Sequence, residues 1–330
     1  MTRIALDAAG GDHAPEVPVA GALEALEALP ETCEIVLVGP ETSVRAEVER
    51  HGPVPKRISV VDAPEVIGMG EKPLAAIRAK RKSSIVVGLS MHKAGEVDAF
   101  ISAGNTGAMM AAGTLLLGLH AGIERPAIGA ALPALPTPVL LLDAGANVDC
   151  SARELVGFAH LGSVYARDVL EKPRPAVGLL NIGEEETKGN TIAREARALL
   201  AREPALHFIG NVEGSDVLRG DCDVIVCDGF VGNIVLKFYE STGRIFGDVL
   251  RQELSETALE VEGMDRVFAF LDYSTYGGAP LLGVRGVAVI CHGRSSSRAI
   301  ANALRVARRS VEHHLSDHIG VELAHPGAVA

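Results

Sequence analysis

Apolar residues recur along this chain with two periods. Short runs of aliphatic and β-branched residues stand at Arg3–Asp7, Ile35–Val38, Ile58–Val61, Ala99–Ser102, Ala127–Ala130, Val139–Asp143, Ala176–Leu180, His207–Ile209, Val224–Cys227 and Val287–Cys291. Between most of them the apolar spacing lengthens to about 3.6 residues, as in Val17–Leu29, Arg153–Leu170, Ile192–Arg202 and Ser295–Leu315. Near-continuous apolar strands alternating with amphipathic helices predict βαβ units and a parallel or mixed sheet covered on both faces. The expected fold is a three-layer α/β/α, Rossmann-like unit. The Pro-rich stretches Leu132–Pro138 and Lys172–Pro175 read as turns, and no linker divides the chain. Residues 1–330 therefore read as one α/β unit. Residues 243–271 stand apart as a helical pair interrupted near Glu262–Gly263.

Composition narrows this picture only slightly. With 330 residues the chain can bury a full core as one large unit or two lobes. Trp is absent and aromatics are 4%, so that core rests on Val, Ile, Leu and Ala. A net charge of −11 argues against nucleic-acid binding. It leaves small-anion binding open, because local fields decide that. No apolar run reaches the ~18 residues of a membrane span, and the chain enters a strand-like run at once, without a signal-peptide pattern. Five unevenly spaced cysteines read as buried apolar residues of a reduced compartment. Cys222 and Cys227 flank one apolar run, but without a second pair they make a poor zinc site.

In open parallel sheets, ligands sit beyond the carboxyl ends of the strands. Seven segments at such ends share one chemistry: "DAAGGDHAPE" (7–16), "SAGNTGA" (102–108), "DAGANVD" (143–149), "NIGEEETKGN" (181–190), "GNVEGSD" (210–216), "DGFVGNIVLK" (228–237) and "HGRSSS" (292–297). Glycine lets backbone N–H groups approach a ligand, and helix N-termini add free donors and a partial positive charge. Such a terminus stabilises an anion by roughly 0.3–2 kcal/mol. An anion and carbonyl site is expected where these loops meet. Each loop can also be read more simply, since Ser, Thr, Asn and Asp cap helices. The motifs of other chemistries are missing. There is no G-x-G-x-x-G, no G-x-x-x-x-G-K-[ST] and no G-x-S-x-G. "HHLSDH" (313–318) reads as a solvated helix end rather than a metal site. The basic run Arg78–Lys82 reads as a solvated helical face that can also meet an acidic partner.

Taken in order, these blocks resemble the bacterial phosphate acyltransferase family of phospholipid synthesis. The resemblance runs from "IALDAAGGDHAPE" through "SSIVVGL", "SAGNTGAMMAAGTLLLG", "RPAI", "LLDAGANVD", "VGLLNIGEEETKGN", "FIGNVEGSD" and "VIVCDGFVGNIVLK" to "DYSTYGGAPLLGVRGVAVICHG", nearly the whole chain. It implies an enzyme making acyl phosphate from acyl-acyl carrier protein and inorganic phosphate. It also implies a fold similar to phosphotransacetylases and the isocitrate and isopropylmalate dehydrogenase-like superfamily, with two lobes around a cleft. A cytosolic homodimer with peripheral membrane association is implied, whose product passes to a membrane glycerol-3-phosphate acyltransferase. Two departures stand out. Ala9 replaces the usual Met, a packing change. The segment Arg244–Asp272 lacks Lys and is mostly acidic, where the family often carries a lysine-rich pair thought to touch membrane. Anionic lipid repels such a segment, so weaker membrane contact or a dimer-interface role is expected.

The implied chemistry sets the expected roles. Phosphate carries its own nucleophilic oxygens, so no Ser or Cys nucleophile, cofactor or metal is called for. The protein must hold phosphate, strip its water and stabilise an oxyanion. Ser102, Gly104, Asn105 and Thr106, with Gly10, Gly11, Asp12 and His13, are expected to hold phosphate or the carbonyl. Lys188 and His292 are expected to neutralise charge or protonate the leaving sulfur. Asn147, Asn190, Asn211 and Asn233 are expected as polar walls or oxyanion donors. Asp7, Asp12 and Asp228 are harder to place beside an anion, unless they orient a cation or accept the phosphate proton; Asp228 can orient Lys237 or His292. Three competing readings are a short-chain acyl-CoA phosphotransacetylase, a decarboxylating dehydrogenase and a non-catalytic acyl-carrier regulator.

Overall fold

A computed structural model describes residues 1–135, 137–254, 261, 263–271 and 277–325. Its strands are β1 (Thr2–Asp7), β2 (Cys33–Gly39), β3 (Ile58–Asp62), β4 (Ala99–Ser102), β5 (Ala127–Leu132), β6 (Val139–Leu142), β7 (Ala176–Leu180), β8 (His207–Val212), β9 (Val224–Val226), β10 (Ala279–Leu282) and β11 (Val287–Ile290). The helices are α1 (Glu16–Ala28), α2 (Glu41–Arg50), α3 (Pro73–Ala79), α4 (Ser84–Lys93), α5 (Thr106–Ala112), α6 (Ala152–Asp168), α7 (Thr191–Leu200), α8 (Gly229–Glu253), α9 (Met264–Leu271), α10 (Ser297–Glu312) and α11 (Leu315–Ala324), with a π turn at Gly113–Leu117 extending α5. Ten of these strands are the ones that the apolar runs predict. The extra one, β10, reads APLL after two glycines. Proline has no N–H to give a ladder, so the sequence pattern hides a strand that pairs on both sides.

Local signals explain the helix limits. Ser151 and Glu154 close a capping box on α6: the Glu154 amide donates to the Ser151 hydroxyl (3.2 Å) and the Ser151 amide to the Glu154 carboxylate (2.7 Å). The helix expected over Ser295–Leu315 is two helices. It stops at Glu312, and His314 takes a left-handed conformation (φ 50°) that turns the chain into α11. "HHLSDH" is thus a joint between helices, where His318 Nδ1 lies 2.8 Å from Asp168 Oδ2 on α6. The expected helical pair corresponds to α8 and α9. The first of these begins earlier than expected, at Gly229, and residues 255–260 and Glu262 of the pair, with residues 272–276, lie outside the described residues.

All eleven strands form one sheet in the order β3-β2-β1-β4-β11-β10-β5-β6-β9-β7-β8. Strands β3, β2, β1, β4 and β11 are mutually parallel, as are β6, β9, β7 and β8. Three antiparallel pairings, β11/β10, β10/β5 and β5/β6, join the blocks. The sheet is mixed, and the two parallel blocks run in opposite directions. The seven loops therefore do not share one edge. Those after β1, β4 and β11 leave one way; those after β6, β7, β8 and β9 leave the other. Register brings the two edges together. Val289 pairs with Pro280, one strand from the Gly129–Leu142 pair, so the carboxyl ends of β11 and β6 lie at nearly the same level.

Alternate residues of each strand feed separate cores. In the first block Ile4, Leu6, Ile35, Leu37, Ile101 and Val289 pack under α1 and α10. Their neighbours Ala5, Val36, Val38 and Phe100 pack on the other face under α3, α4 and α5. In the second block Leu140, Leu142, Val177 and Val224 meet α6, α7 and α11. Leu141, Ile225 and Cys227 meet α8 through Tyr239. Burying each such Val, Leu or Ile contributes about 1.5–3 kcal/mol, so the Trp-free composition suffices.

His92 at the end of α4 ties helix to sheet. Its Nδ1–H donates to the Val97 carbonyl (3.0 Å), and its Nε2 accepts from the Val287 amide (2.9 Å). Both bonds require a neutral ring, and burial pushes the imidazole below its ordinary 6.5. The unfolded chain therefore binds a proton that the folded chain refuses. Stability present above about pH 6.5 is lost as pH falls toward the lowered value. The urea midpoint should fall between pH 7 and pH 5, and His92→Gln should shrink that pH slope; an unchanged slope would show that His92 does not contribute to it.

Candidate active site

Two buried carboxylates organise the loops at the meeting edges. Asp7 ends β1. Its Oδ2 accepts from the Ser102 hydroxyl (2.6 Å) and its Oδ1 from the Ala9 amide (3.0 Å). The Ser102 oxygen in turn accepts from the Gly104 amide (3.0 Å). Asp143 follows β6. It accepts from the amides of Ile128 (3.1 Å), Gly145 (3.2 Å), Ala146 (2.9 Å) and Asn147 (2.7 Å), and from the Asn147 side chain (2.9 Å). Burial pushes both carboxyls up, and these donors pull against it. The glycine loops are thus tied down from inside. A Cβ at Gly10 would lie 2.5 Å from Asp7 Oδ2 and 2.8 Å from the Gly104 nitrogen. Glycine there lets the two loops touch each other.

Between the blocks lies a cavity of about 390 Å³. One wall is apolar and made of small side chains, with Ile128, Ala130, Ala131, Ala279, Ile290 and Cys291 from the sheet and Leu236 from α8. The polar end carries Thr106 at the start of α5, Asn233, Lys237 and Glu240 on α8, and His292 and Ser295 after β11. Helix α8 comes so close because Gly232 lies against β6; a Cβ there would meet the Asp143 carbonyl oxygen at 1.9 Å. Asn233, Lys237 and Glu240 follow at i, i+4 and i+7, on one face of α8. Lys237 Nζ contacts Glu240 Oε2 at 2.7 Å. His292 Nδ1 accepts from the Arg294 amide (3.2 Å), which leaves Nε2–H as the ring's donor. Burial holds His292 below its ordinary 6.5, and the Lys237 ammonium adds to this against the pull of Glu240 and Asp12.

The expected site residues divide three ways. Thr106, Asn233 and His292 line the cavity. Gly10, Gly11, Asp12 and His13 form its neighbouring rim loop: the Asp12 amide donates to the Gly293 carbonyl (2.7 Å), and its carboxylate lies 3.8 Å from Arg294 Nε. The others lie outside that lining, and most of them close hydrogen bonds within the protein. Ser102 is fully buried on Asp7. Asn105 caps α5 through the Ala108 amide (2.9 Å), and its NH₂ holds the carbonyls of Gly68 (3.0 Å) and Met69 (3.1 Å). The amide of Gly104 donates to Ser102, so the "SAGNTG" loop is a brace from which only Thr106 reaches the cavity. Asn147 binds Asp143 and the Pro126 carbonyl (2.8 Å). Asp228 caps α8 through the Val231 amide (2.9 Å). Asn190 caps α7 through the Ala193 amide (2.8 Å). Asn211 holds the Glu185 carbonyl (2.9 Å), and Lys188 lies 3.9 Å from Glu185. Asn190 and Lys188 follow β7, and Asn211 lies in β8. Three strand spacings, about 14 Å, separate β7 from β5 at the cavity wall.

Lys237, Glu240 and Ser295 enter the site from outside the expected set. For the first two, the signal was the polar i, i+4, i+7 stripe of α8 after a strand. Among the described residues no group of three or more His, Cys, Asp and Glu side chains is placed to hold a metal ion, and all five cysteines are buried free thiols.

A family profile described as "Fatty acid synthesis protein" matches residues 2–318. The chain is 47% identical over 326 residues to the phosphate acyltransferase of Thermosynechococcus vestitus, covering 96% of this chain and 94% of that protein. It is 48% identical over 322 residues to the phosphate acyltransferase of Desulforamulus reducens, with 96% and 95% covered. Among solved structures, a phosphotransacetylase from Streptococcus pyogenes shares the fold with a TM-score of 0.68 at 15% identity, over 94% of each chain. A 4-hydroxythreonine-4-phosphate dehydrogenase from Klebsiella pneumoniae shares it with a TM-score of 0.56 at 14% identity, over 94% of this chain and 98% of that one. With the fold and the full-length identity in agreement, the chain belongs to the phosphate acyltransferase family of acyl-transferring enzymes in fatty acid synthesis.

Proposed function

We propose that the protein transfers a long-chain acyl group from acyl-acyl carrier protein to inorganic phosphate, by direct attack of phosphate on the thioester. The observation that carries this reading is one cavity with a small-residue apolar wall and a polar end bearing Lys237, Asn233, Thr106 and His292. The apolar wall suits the alkyl chain and the polar end suits phosphate and the thioester carbonyl. Cys291 is the one cavity thiol among the described residues, and burial pushes it up to about 12. It is therefore neutral at pH 7 and a poor nucleophile.

In this mechanism Lys237 holds the phosphate. A phosphate oxygen forms the new C–O bond as the C–S bond breaks, giving acyl phosphate and a thiolate. Thr106 O–H and the Asn233 amide donate to the carbonyl oxygen as it gains charge. His292 presents Nε2–H to the leaving sulfur, and the proton lost by hydrogen phosphate balances the one gained by the thiol. Purified protein with long-chain acyl-acyl carrier protein and phosphate should release thiol in step with a hydroxylamine-reactive product. Turnover with short acyl-CoA alone would instead favour the phosphotransacetylase reading. Lys237→Ala should raise the KM for phosphate roughly 10- to 100-fold, the worth of a hydrogen bond to a charged group, with the fold retained by circular dichroism.

The acidic carrier protein has a basic surface to meet. Arg78 on α3 and Arg81 and Lys82 just beyond it are exposed, while Lys80 pairs with Glu71. Asn105 clamps the 68–71 loop that leads into α3, which ties this surface to the cavity mouth. Charges at such a surface are screened over about 10 Å at 0.1 M salt. The apparent affinity for the acyl carrier substrate should therefore weaken as salt rises to ~0.5 M; no change would remove long-range electrostatic docking.

The homodimer implied by the resemblance has a candidate face. Phe230, Ile234, Phe238, Ile245 and Val249 are exposed along one stripe of α8. Light scattering should give a dimer that Phe238→Asp dissociates. No helix among the described residues is long and apolar enough to cross a membrane. The resemblance supports a cytosolic enzyme that hands acyl phosphate to a membrane glycerol-3-phosphate acyltransferase.

A further inference from the structure

The polar end of the cavity contains a group that should repel its ligand. Glu240 lines the site with its side chain only 11% exposed. It is paired with Lys237, and this is the one lysine of the cavity lining. The two charges cancel, and His292 is neutral. Asp12 and Arg294 at the rim cancel as well. A phosphate dianion entering here finds donors on Thr106, Asn233, Lys237, His292 and Ser295, but no net positive charge. It also finds a carboxylate, a group that only accepts hydrogen bonds. A nearly buried acceptor facing an anion is strongly unfavourable unless the anion itself brings a proton.

We propose that Glu240 is a specificity-determining residue that accepts the P–OH hydrogen of phosphate, so that the site selects protonated tetrahedral oxyanions and rejects equally sized ones without a hydroxyl. The proposal rests on the reading of this cavity as the phosphate site and adds a reason for the carboxylate within it. Hydrogen phosphate carries one hydroxyl at neutral pH. Sulfate and monofluorophosphate are dianions of similar size that carry none. Arsenate has the hydroxyl. A site built around a hydrogen bond from its ligand rejects an analogue lacking that donor far more strongly than a shape-matched pocket does. The same arrangement orients phosphate: its hydroxyl turns toward Glu240 and its bare oxygens toward Lys237 and the thioester. The attacking oxygen is then an unprotonated one.

The test is an anion series on the intact enzyme. In the wild type, arsenate should compete with phosphate at similar concentrations and drive arsenolysis of the acyl carrier thioester. Sulfate and monofluorophosphate should compete about tenfold or more less well. Glu240→Gln keeps the shape and an oxygen for Lys237 but adds an N–H donor. In that variant the inhibition constants for sulfate and monofluorophosphate should fall about tenfold or more relative to the KM for phosphate. Two results overturn the proposal: hydroxyl-free anions competing as well as phosphate in the wild type, or all four anions moving together in Glu240→Gln, which would make Glu240 a simple charge or a brace for Lys237. Failure of the underlying site reading looks different, because then neither Glu240→Gln nor Lys237→Ala changes any anion constant. If Glu240→Gln does not fold, the wild-type series still decides.

Discussion

Two buried carboxylates hold the loops of this candidate site together. Asp7 and Asp143 each end a strand, each is buried, and each gathers the polar hydrogens of the loop that follows. A buried carboxylate is tolerable only when its oxygens are fully hydrogen-bonded. That requirement runs in both directions: the loops satisfy the acids, and the acids fix the loops. Asp7 reaches across to Ser102 and so joins the β1 and β4 loops. Asp143 reaches Ile128 and so joins the β6 loop to the start of β5. The cavity lies between these two knots.

The second constraint is the reversal in the middle of the sheet. Two parallel blocks would normally send their functional edges to opposite ends of the molecule. The antiparallel strands β10 and β5 instead stagger the second block so that the ends of β11 and β6 come level. Helix α8 then spans the junction. Its Gly232 seats on Asp143, its Asn233, Lys237 and Glu240 line the cavity, and the neighbouring stripe of Phe230, Ile234 and Phe238 is exposed. One helix therefore lines the cavity with one stripe and presents an apolar surface on the next. This accounts for a sequence that is neither a simple amphipathic helix nor a buried one.

The site's chemistry follows from how little charge it contains. Apart from Lys237, its polar side chains are neutral donors or the carboxylate of Glu240. Such a site stabilises developing charge by oriented dipoles rather than by an excess of cations. In the proposed reaction the thioester has a good leaving group, so no protein nucleophile is required. The neutral His292, with Nδ1 engaged by the Arg294 amide, is a donor of fixed direction.

The sequence by itself determined the layered α/β class, ten of the eleven strands and the loops where polar side chains concentrate. It could do so because apolar period and turn chemistry are local properties, written within a few residues. It also carried the family, through blocks such as "DAAGGDHAPE" and "DGFVGNIVLK". What it left undecided was which polar residues line the cavity and which hydrogen-bond within the protein. Ser102, Asn105, Asn147 and Asn190 have the residue types of a phosphate cradle, yet each closes an internal hydrogen bond. Lys237 and Glu240 look like ordinary helix-surface charges, yet they line the cavity. Only the tertiary structure separates these cases, because the partner of a polar group is set by strand order and register. Pairings such as Asp7 with Ser102, 95 residues apart, leave no trace in local pattern. The same holds for β10, whose Ala-Pro start conceals a strand until its two antiparallel neighbours are in place.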